Sequence, residues 1–288
     1  MTLSTRSTIK AYLFLSFTLL FYLSFYAFPM GFTGYLSFHD WDLATLKTSF
    51  VGLKHYARFF LDPDGRRVLK ITFLFMAGAI PLRTSAALCL AMLLNRRIWG
   101  RTFFRFAYFT PMVVSFVAAS MVWLWIYEPQ SGLANYFLGL LGLPRLRWLG
   151  DENLALPSLI ILSTWKGMGY FMVIYLAGLQ DIPKTLYEAA EIDGAGGWKA
   201  FWFITLPLLS RVTTFVLIMS VILDFQVFEP IYVMTGGGPL GRTEVYTYYL
   251  YRQGFRYFDM GYASAIAFIG SGIILFFTLI QWRLRKQY

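Results

Sequence analysis

Three ionisable side chains, Arg83, Lys166 and Asp224, lie inside otherwise apolar runs of the chain. An ionisable group in such a run is costly, and it persists where it pairs, snorkels or handles a polar cargo. Ser163, Gly167 and Tyr170 flank Lys166 within about two helical turns. Further along, Ser220, Asp224 and Val227 follow helical spacing, with Gln226 beside them. Hydroxyls, amides, charges and an aromatic face suit a polyhydroxylated solute, and a glycine lets a ring approach the backbone closely. The charges have a second use: Lys166 can hold an anionic group or neutralise Asp224, and pairing that fixes helix packing accounts for Arg83. No catalytic or metal-binding set is expected. The only histidines, His39 and His55, stand far along the chain from Asp224. Neither a His/Glu metal spacing nor a Gly-x-Ser-x-Gly elbow occurs.

The elements that must position these groups are membrane helices. Of 288 residues, 58% are hydrophobic and only 14% charged, whereas soluble domains average about 25% charged. A crossing needs about 20 predominantly apolar residues. Six stretches meet that length, at 11–36, 69–94, 102–127, 157–179, 204–235 and 261–282. Arg6 and Lys10 precede the first, which is too long and too bulky for a cleaved signal, so it reads as a retained span. Pro81, Pro111, Pro207 and Pro230 mark kinks that neighbouring groups must compensate. Tyr56 to Leu61 suits a short interfacial helix. No tandem repeat or soluble domain interrupts a single membrane domain over 1–288.

An even number of spans puts both termini on one side. Arg96, Arg97 and Arg101, the 181–203 segment and the tail Arg283-Leu284-Arg285-Lys286 make that side cytoplasmic by the positive-inside rule. The net charge of +10 is spread over short loops, which points to lipid headgroups and away from nucleic acid. The lone Cys89 excludes an internal disulfide and reads as a buried structural thiol.

The 181–203 segment reads as a helix, a glycine turn and a second helix start. Asp181 is placed to cap a helix with Pro183 in its first turn. Leu186, Ala189 and Ala190 share one face and Lys184, Glu188 and Glu191 fall largely on the other. Gly194 suits the left-handed residue after a helix end. A small pair such as Ala189-Ala190 permits close docking of another surface and anchors poorly in lipid. An exposed carboxylate on a short helix gives another protein something to push on.

The set Glu188-Ala189-Ala190, Gly194, Ile204-x-Leu206-Pro207 resembles, in type and spacing, the signature loop of binding-protein-dependent ABC importer permeases. Phe50-Val51-Gly52-Leu53-x-x-Tyr56, Thr110 to Ser115 and Val227 to Pro239 are similar to the carbohydrate and glycerol-phosphate branch, in particular the larger maltose permease subunit. The resemblance implies an all-α integral membrane protein with six transmembrane helices of the type I ABC importer permease fold. It implies that Glu188 and its neighbours form a coupling helix seated in an ATPase subunit. It implies as partners a second, non-identical permease, two ATPase subunits and an extracytoplasmic solute-binding protein. ATP and Mg would sit on the ATPase subunits, with no cofactor on this chain, in a bacterial or archaeal plasma membrane. Permeases of the maltose type line their pathway at positions matching Ser163, Gly167, Tyr170, Ser220, Asp224 and Val227. Here Val227 is apolar where a polar contact is expected and Lys166 charged where an apolar residue is expected. A neutral sugar and an anionic, glycerol-phosphate-like solute both stay open.

Two rival readings are weaker. An ion-coupled secondary transporter could use Asp224, Lys166 and Arg83 as a relay, but has no need of the Glu188–Pro207 set. The run from Gly236 to Thr243 nearly spells a phosphate-binding loop, with Arg242 in the lysine's place. It follows an apolar run rather than a strand and contains Pro239, so a glycine turn suffices.

Overall fold

The computed structural model describes residues 5–42, 47–96 and 98–285. Arg97 and Lys286, used above for orientation, lie outside the described residues. In chain order the elements are α1 (Thr5–Tyr22), α2 (Phe28–Leu36), β1 (His39–Asp42), β2 (Lys47–Phe50), α3 (Lys54–Leu61), α4 (Pro63–Asn95), α5 (Arg101–Val113), α6 (Phe116–Ile126), α7 (Leu133–Leu140), α8 (Ala155–Gln180), α9 (Lys184–Ile192), α10 (Gly197–Ala200), α11 (Leu206–Leu208), α12 (Ser210–Phe225), α13 (Tyr246–Tyr251) and α14 (Met260–Arg285). Single π-helical turns occur at Leu23–Ala27, Phe201–Thr205, Ile231–Thr235 and Arg252–Arg256. The first two run into Pro29 and Pro207, which have no amide to donate and whose rings crowd the carbonyls of Phe25 and Phe203; a wider turn relieves both problems.

Among the described residues, four helical stretches are long and apolar enough to cross a membrane: Lys10–Leu36, Pro63–Asn95, Ala155–Gln180 and Met260–Arg283. Two bent pairs bring the number to six. Arg101–Val113 and Phe116–Ile126 meet at 102°, and Gly197–Leu208 and Ser210–Phe225 at 66°. The stretches 102–127 and 204–235 are therefore not single rods. The first breaks at Val114, an extended residue that ends α5 three residues after Pro111. The second breaks at Leu209, and α12 stops at Phe225, well short of residue 235.

The residues form two compact units. One comprises residues 1–66 and 250–272. In it β1 and β2 pair antiparallel, with His39 opposite Phe50 and Trp41 opposite Thr48. A short helix does form around Tyr56 to Leu61: it is α3, which buries His55 and Phe59 and leaves Phe60 and Leu61 exposed. His55 Nε2 lies 3.1 Å from an Asp40 carboxylate oxygen. Arg58 donates to Asp259 at 2.7 Å, its guanidinium 3.9 Å above the Tyr262 ring.

The other comprises residues 67–249 and 273–288. Its core joins Ala87 and Ala91 of α4, Phe171, Met172 and Tyr175 of α8, Leu209, and Val216 of α12. Glycines on the helix faces set how closely these elements pack. A Cβ on Gly169 would fall 1.9 Å from the Tyr108 carbonyl oxygen of α5, and one on Gly178 would meet Val212 at 2.6 Å. Lipid offers no hydrophobic drive between helices, so such close approach, with its dispersion contacts, is what holds them together. Cys89 is exposed on α4, which corrects the expectation of a buried thiol.

Candidate functional site: a loop helix and a charged layer within the spans

Helix α9 starts after Pro183, whose extended ψ of 130° makes it the capping residue. Asp181 instead ends α8, in helical conformation, so it does not cap α9 as its position suggested. At the other end Ala195 N–H donates to Ala190 O at 2.8 Å and Gly194 N–H to Glu191 O at 3.1 Å. With Gly194 at φ +73°, this is a Schellman closure. A Cβ on Gly194 would meet nothing within 4 Å. Backbone conformation alone, not crowding, calls for glycine there.

No residue of α9 is fully buried. Glu188 and Ala189 are exposed, and Ala190 is half-buried. The loop also exposes apolar side chains: Ile192 is 86%, Trp198 74% and Phe203 80% accessible. The helix is tied down through Tyr187, whose hydroxyl lies 2.9 Å from the buried Thr205 hydroxyl. Ile204 packs with Tyr187 against the core of the second unit. Leu206 is half-buried and Pro207 exposed. Beside this tether a cavity of about 220 Å³ is lined by Asn95, Arg96, Phe201 and Thr205. The Tyr187–Thr205 link was not foreseen; its only trace in the sequence is a hydroxyl residue adjoining each half of the signature.

Inside the spans, Arg83 of α4 donates to both carboxylate oxygens of Asp224 on α12, at 2.9 and 2.6 Å. The side chains are 5% and 4% exposed. The guanidinium also lies 5.1 Å from the Phe171 ring centroid. Gly167 gives Arg83 its room, since a Cβ there would meet Arg83 Cδ at 2.7 Å. The space beside Gly167, expected to admit a solute ring, holds this side chain.

Lys166 is not paired with Asp224. Its ammonium donates to the carbonyls of Val114 at 2.6 Å, Pro111 at 3.1 Å and Met112 at 3.4 Å. These are carbonyls freed where α5 breaks from α6, a deficit that must be met inside a bilayer. No carboxylate lies within ion-pair distance of Lys166 among the described residues. Ser163 and Val227 are buried, and Ser220 is fully buried, its hydroxyl unpartnered. Tyr170 and Gly167 are half-buried and Gln226 is exposed. Ser220 and Asp224 share a face of α12, one turn apart. Among the described residues no group of three or more His, Cys, Asp or Glu could hold a metal ion. Thr243, the hydroxyl of the near phosphate loop, is buried and donates to Gly238 O at 2.6 Å, in a turn with Gly236, Gly237 and Gly241 at positive φ.

Apolar helices long enough to cross a membrane, buried charges within them and an anchored but exposed loop helix describe a multi-pass membrane protein. The chain belongs to the family of binding-protein-dependent transport system inner membrane components, which its residues 84–287 match. It is a permease subunit of the ABC importer type. It is 36% identical over 286 residues to the Probable ABC transporter permease protein YurN of Bacillus subtilis, covering 98% of this chain and 97% of that one. It is 35% identical over 262 residues to the sn-glycerol-3-phosphate transport system permease protein UgpA of Brucella abortus, covering 90% and 88%. The fold matches a chain of a bacterial ABC transporter involved in the import of the acidic polysaccharide alginate, with TM-score 0.85, 23% identity and 98% and 96% of the two chains covered. A second solved structure, a bacterial alginate ABC transporter in complex with an alginate pentasaccharide-bound periplasmic protein, matches with TM-score 0.82 at 23% identity over 96% and 93%.

Proposed function

We propose that this chain passes the closure of two ATPase subunits to a path for a carbohydrate or carbohydrate-like solute, and that α9 is the part the ATPase grips. The observation that carries this reading is the build of the loop. It is rigidly closed at Gly194 and anchored through Tyr187 to Thr205. Yet it exposes Glu188, Ala189, Ile192 and Trp198. Exposed apolar groups beside a fixed carboxylate suit a protein cleft better than water. A second permease subunit would complete the path, an extracytoplasmic binding protein would deliver the solute, and ATP with Mg would be bound by the ATPase subunits alone. The binding protein in the alginate structure supports that partner, the bacterial relatives support a prokaryotic plasma membrane, and the basic residues of the short loops support α9 and both termini in the cytoplasm.

For the solute, one observation favours an anionic carbohydrate derivative over a neutral sugar. Arg83 and Asp224 cancel, whereas Lys166 is held by carbonyl dipoles, and Glu229 acts on it only beyond ion-pair distance, so no direct counter-ion among the described residues takes up its charge. Among the relatives, the name of the glycerol-3-phosphate permease leans the same way, while that of an arabinooligosaccharide permease from Bacillus subtilis, also 35% identical, leans to a neutral sugar. The test is twofold. In the assembled importer, Glu188→Cys should crosslink to the ATPase subunit and Glu188→Ala should lower solute-stimulated ATP hydrolysis. Solute competition should then rank phosphorylated or uronate sugars above neutral ones. Full coupling without Glu188 removes the first claim, and preference for neutral sugars removes the second.

A further inference from the structure

At the end of α8 opposite to α9, a groove of about 610 Å³ opens between α4 and α8. We propose that it is a binding site for one anionic phospholipid, with the headgroup phosphate on Lys70, Arg67 and Arg242 and an acyl chain along the helix faces below.

The polar and apolar parts of the groove are segregated. The basic rim lies at one end, from Arg67 and Lys70 on α4 and Arg242 on the glycine turn. Below it, Ile71 and Leu74 face Leu156 and Ile160 of α8. Positions 67, 70, 71 and 74 lie on one helix face, and 156 and 160 on another. From Arg67 to Leu74 the helix advances about 10 Å. Beneath that, the helices close together, for a Cβ on Gly78 would meet Ile160 Cδ1 at 2.7 Å. A polar solute would leave these apolar walls against water or against its own hydroxyls. An amphiphile matches them along their length.

The charge count matches as well. Arg67 donates to Glu244 at 3.0 Å, and Arg242 lies 3.5 Å from Glu152. Lys70 has no carboxylate within ion-pair distance among the described residues. Three cations against Glu152 and Glu244 leave one positive charge, the complement of one phosphodiester. Leu74 is 51% and Leu240 77% exposed, so the groove is open along its flank to an entering chain. The leaflet involved, the outer one, rests on the reading of α9 as cytoplasmic; the site itself does not.

The test is native mass spectrometry of the whole importer released from phosphatidylcholine bilayers doped with phosphatidylglycerol. Lipid retention is read without turnover, so its result stands apart from the transport reading. Wild type should retain phosphatidylglycerol over phosphatidylcholine. Lys70→Gln should lower that retention about fivefold, as expected for one basic residue at a headgroup, and Lys70→Arg should restore it. Leu74→Trp, which fills the groove and keeps the rim, should lower it too. Arg145→Gln with Arg147→Gln, a larger charge loss elsewhere, should leave it unchanged. Equal loss in the Arg145/Arg147 variant would reduce the effect to diffuse electrostatics and overturn the proposal. Retention unaffected by Leu74→Trp, or lipid displaced by inorganic phosphate or glycerol phosphate, would overturn it in favour of a soluble anion.

Discussion

Arg83 and Asp224 lie 141 residues apart in the chain and meet as a two-bond, bidentate ion pair joining α4 to α12. Both are almost fully buried, so each depends on the other. Removing one partner of such a pair costs about 3–5 kcal/mol, because the remaining charge is stranded, while replacing both by well-packed apolar residues is often neutral. Asp224→Ala and Arg83→Met should each sharply lower the thermal stability of the purified importer, and Arg83→Met with Asp224→Leu should recover most of it. Equal stability of wild type and single variants would show that the pair carries no structural load.

Lys166 supplies donors where the α5–α6 break leaves carbonyls open. Lys166→Met should orphan them at about 1–3 kcal/mol for a buried unsatisfied group. The angle at Val114 should then become variable. Spin labels on α5 and α6 would read a broadened distance distribution, narrowed again by Lys166→Arg. An unchanged distribution in Lys166→Met would mean that packing alone holds the bend.

Gly194 is needed for its φ and not for space. Gly194→Ala should therefore cost about 1–2 kcal/mol in the loop, and Gly194→Asn less, since asparagine tolerates the left-handed region. Solute-stimulated ATP hydrolysis should fall in the order glycine, asparagine, alanine. The reverse order of the two variants would point to a contact with a partner.

Gly169 stands in the opposite situation. Its Cβ position falls 1.9 Å from a backbone oxygen of Tyr108, which cannot rotate away. Gly169→Ala should force α5 from α8, with an overpacking penalty of about 3 kcal/mol or more. Loss of folded permease, seen as failure to co-purify with its partners, is the expected result. Gly139→Ala, at a position with nothing within 4 Å, is the control.

The spans were legible because hydropathy accumulates over twenty or so residues. The breaks were not, because such a sum runs straight through Val114 and Leu209. Pro111 signalled trouble, yet the turn falls three residues later, where Lys166 reaches the chain. Gly194 could be read from local chemistry alone, since only a left-handed residue closes that helix end. Pairing of the internal charges could not. Three ions allow several pairings, and Arg83 reaches Asp224 because Gly167 leaves a passage, a fact of helix rotation that no spacing encodes. The groove beside Lys70 was hidden for the same reason: α4, the start of α8 and the glycine turn contribute one cation-bearing or apolar face each.

The hydroxyl link between Tyr187 and Thr205 has a mechanical corollary. It clamps α9 to the π-helical turn that begins the fifth crossing, just ahead of the 66° elbow at Leu209. A load applied to α9 would be carried stiffly as far as that elbow and released there as swivel, so the stub works as a crank handle whose pivot is Leu209.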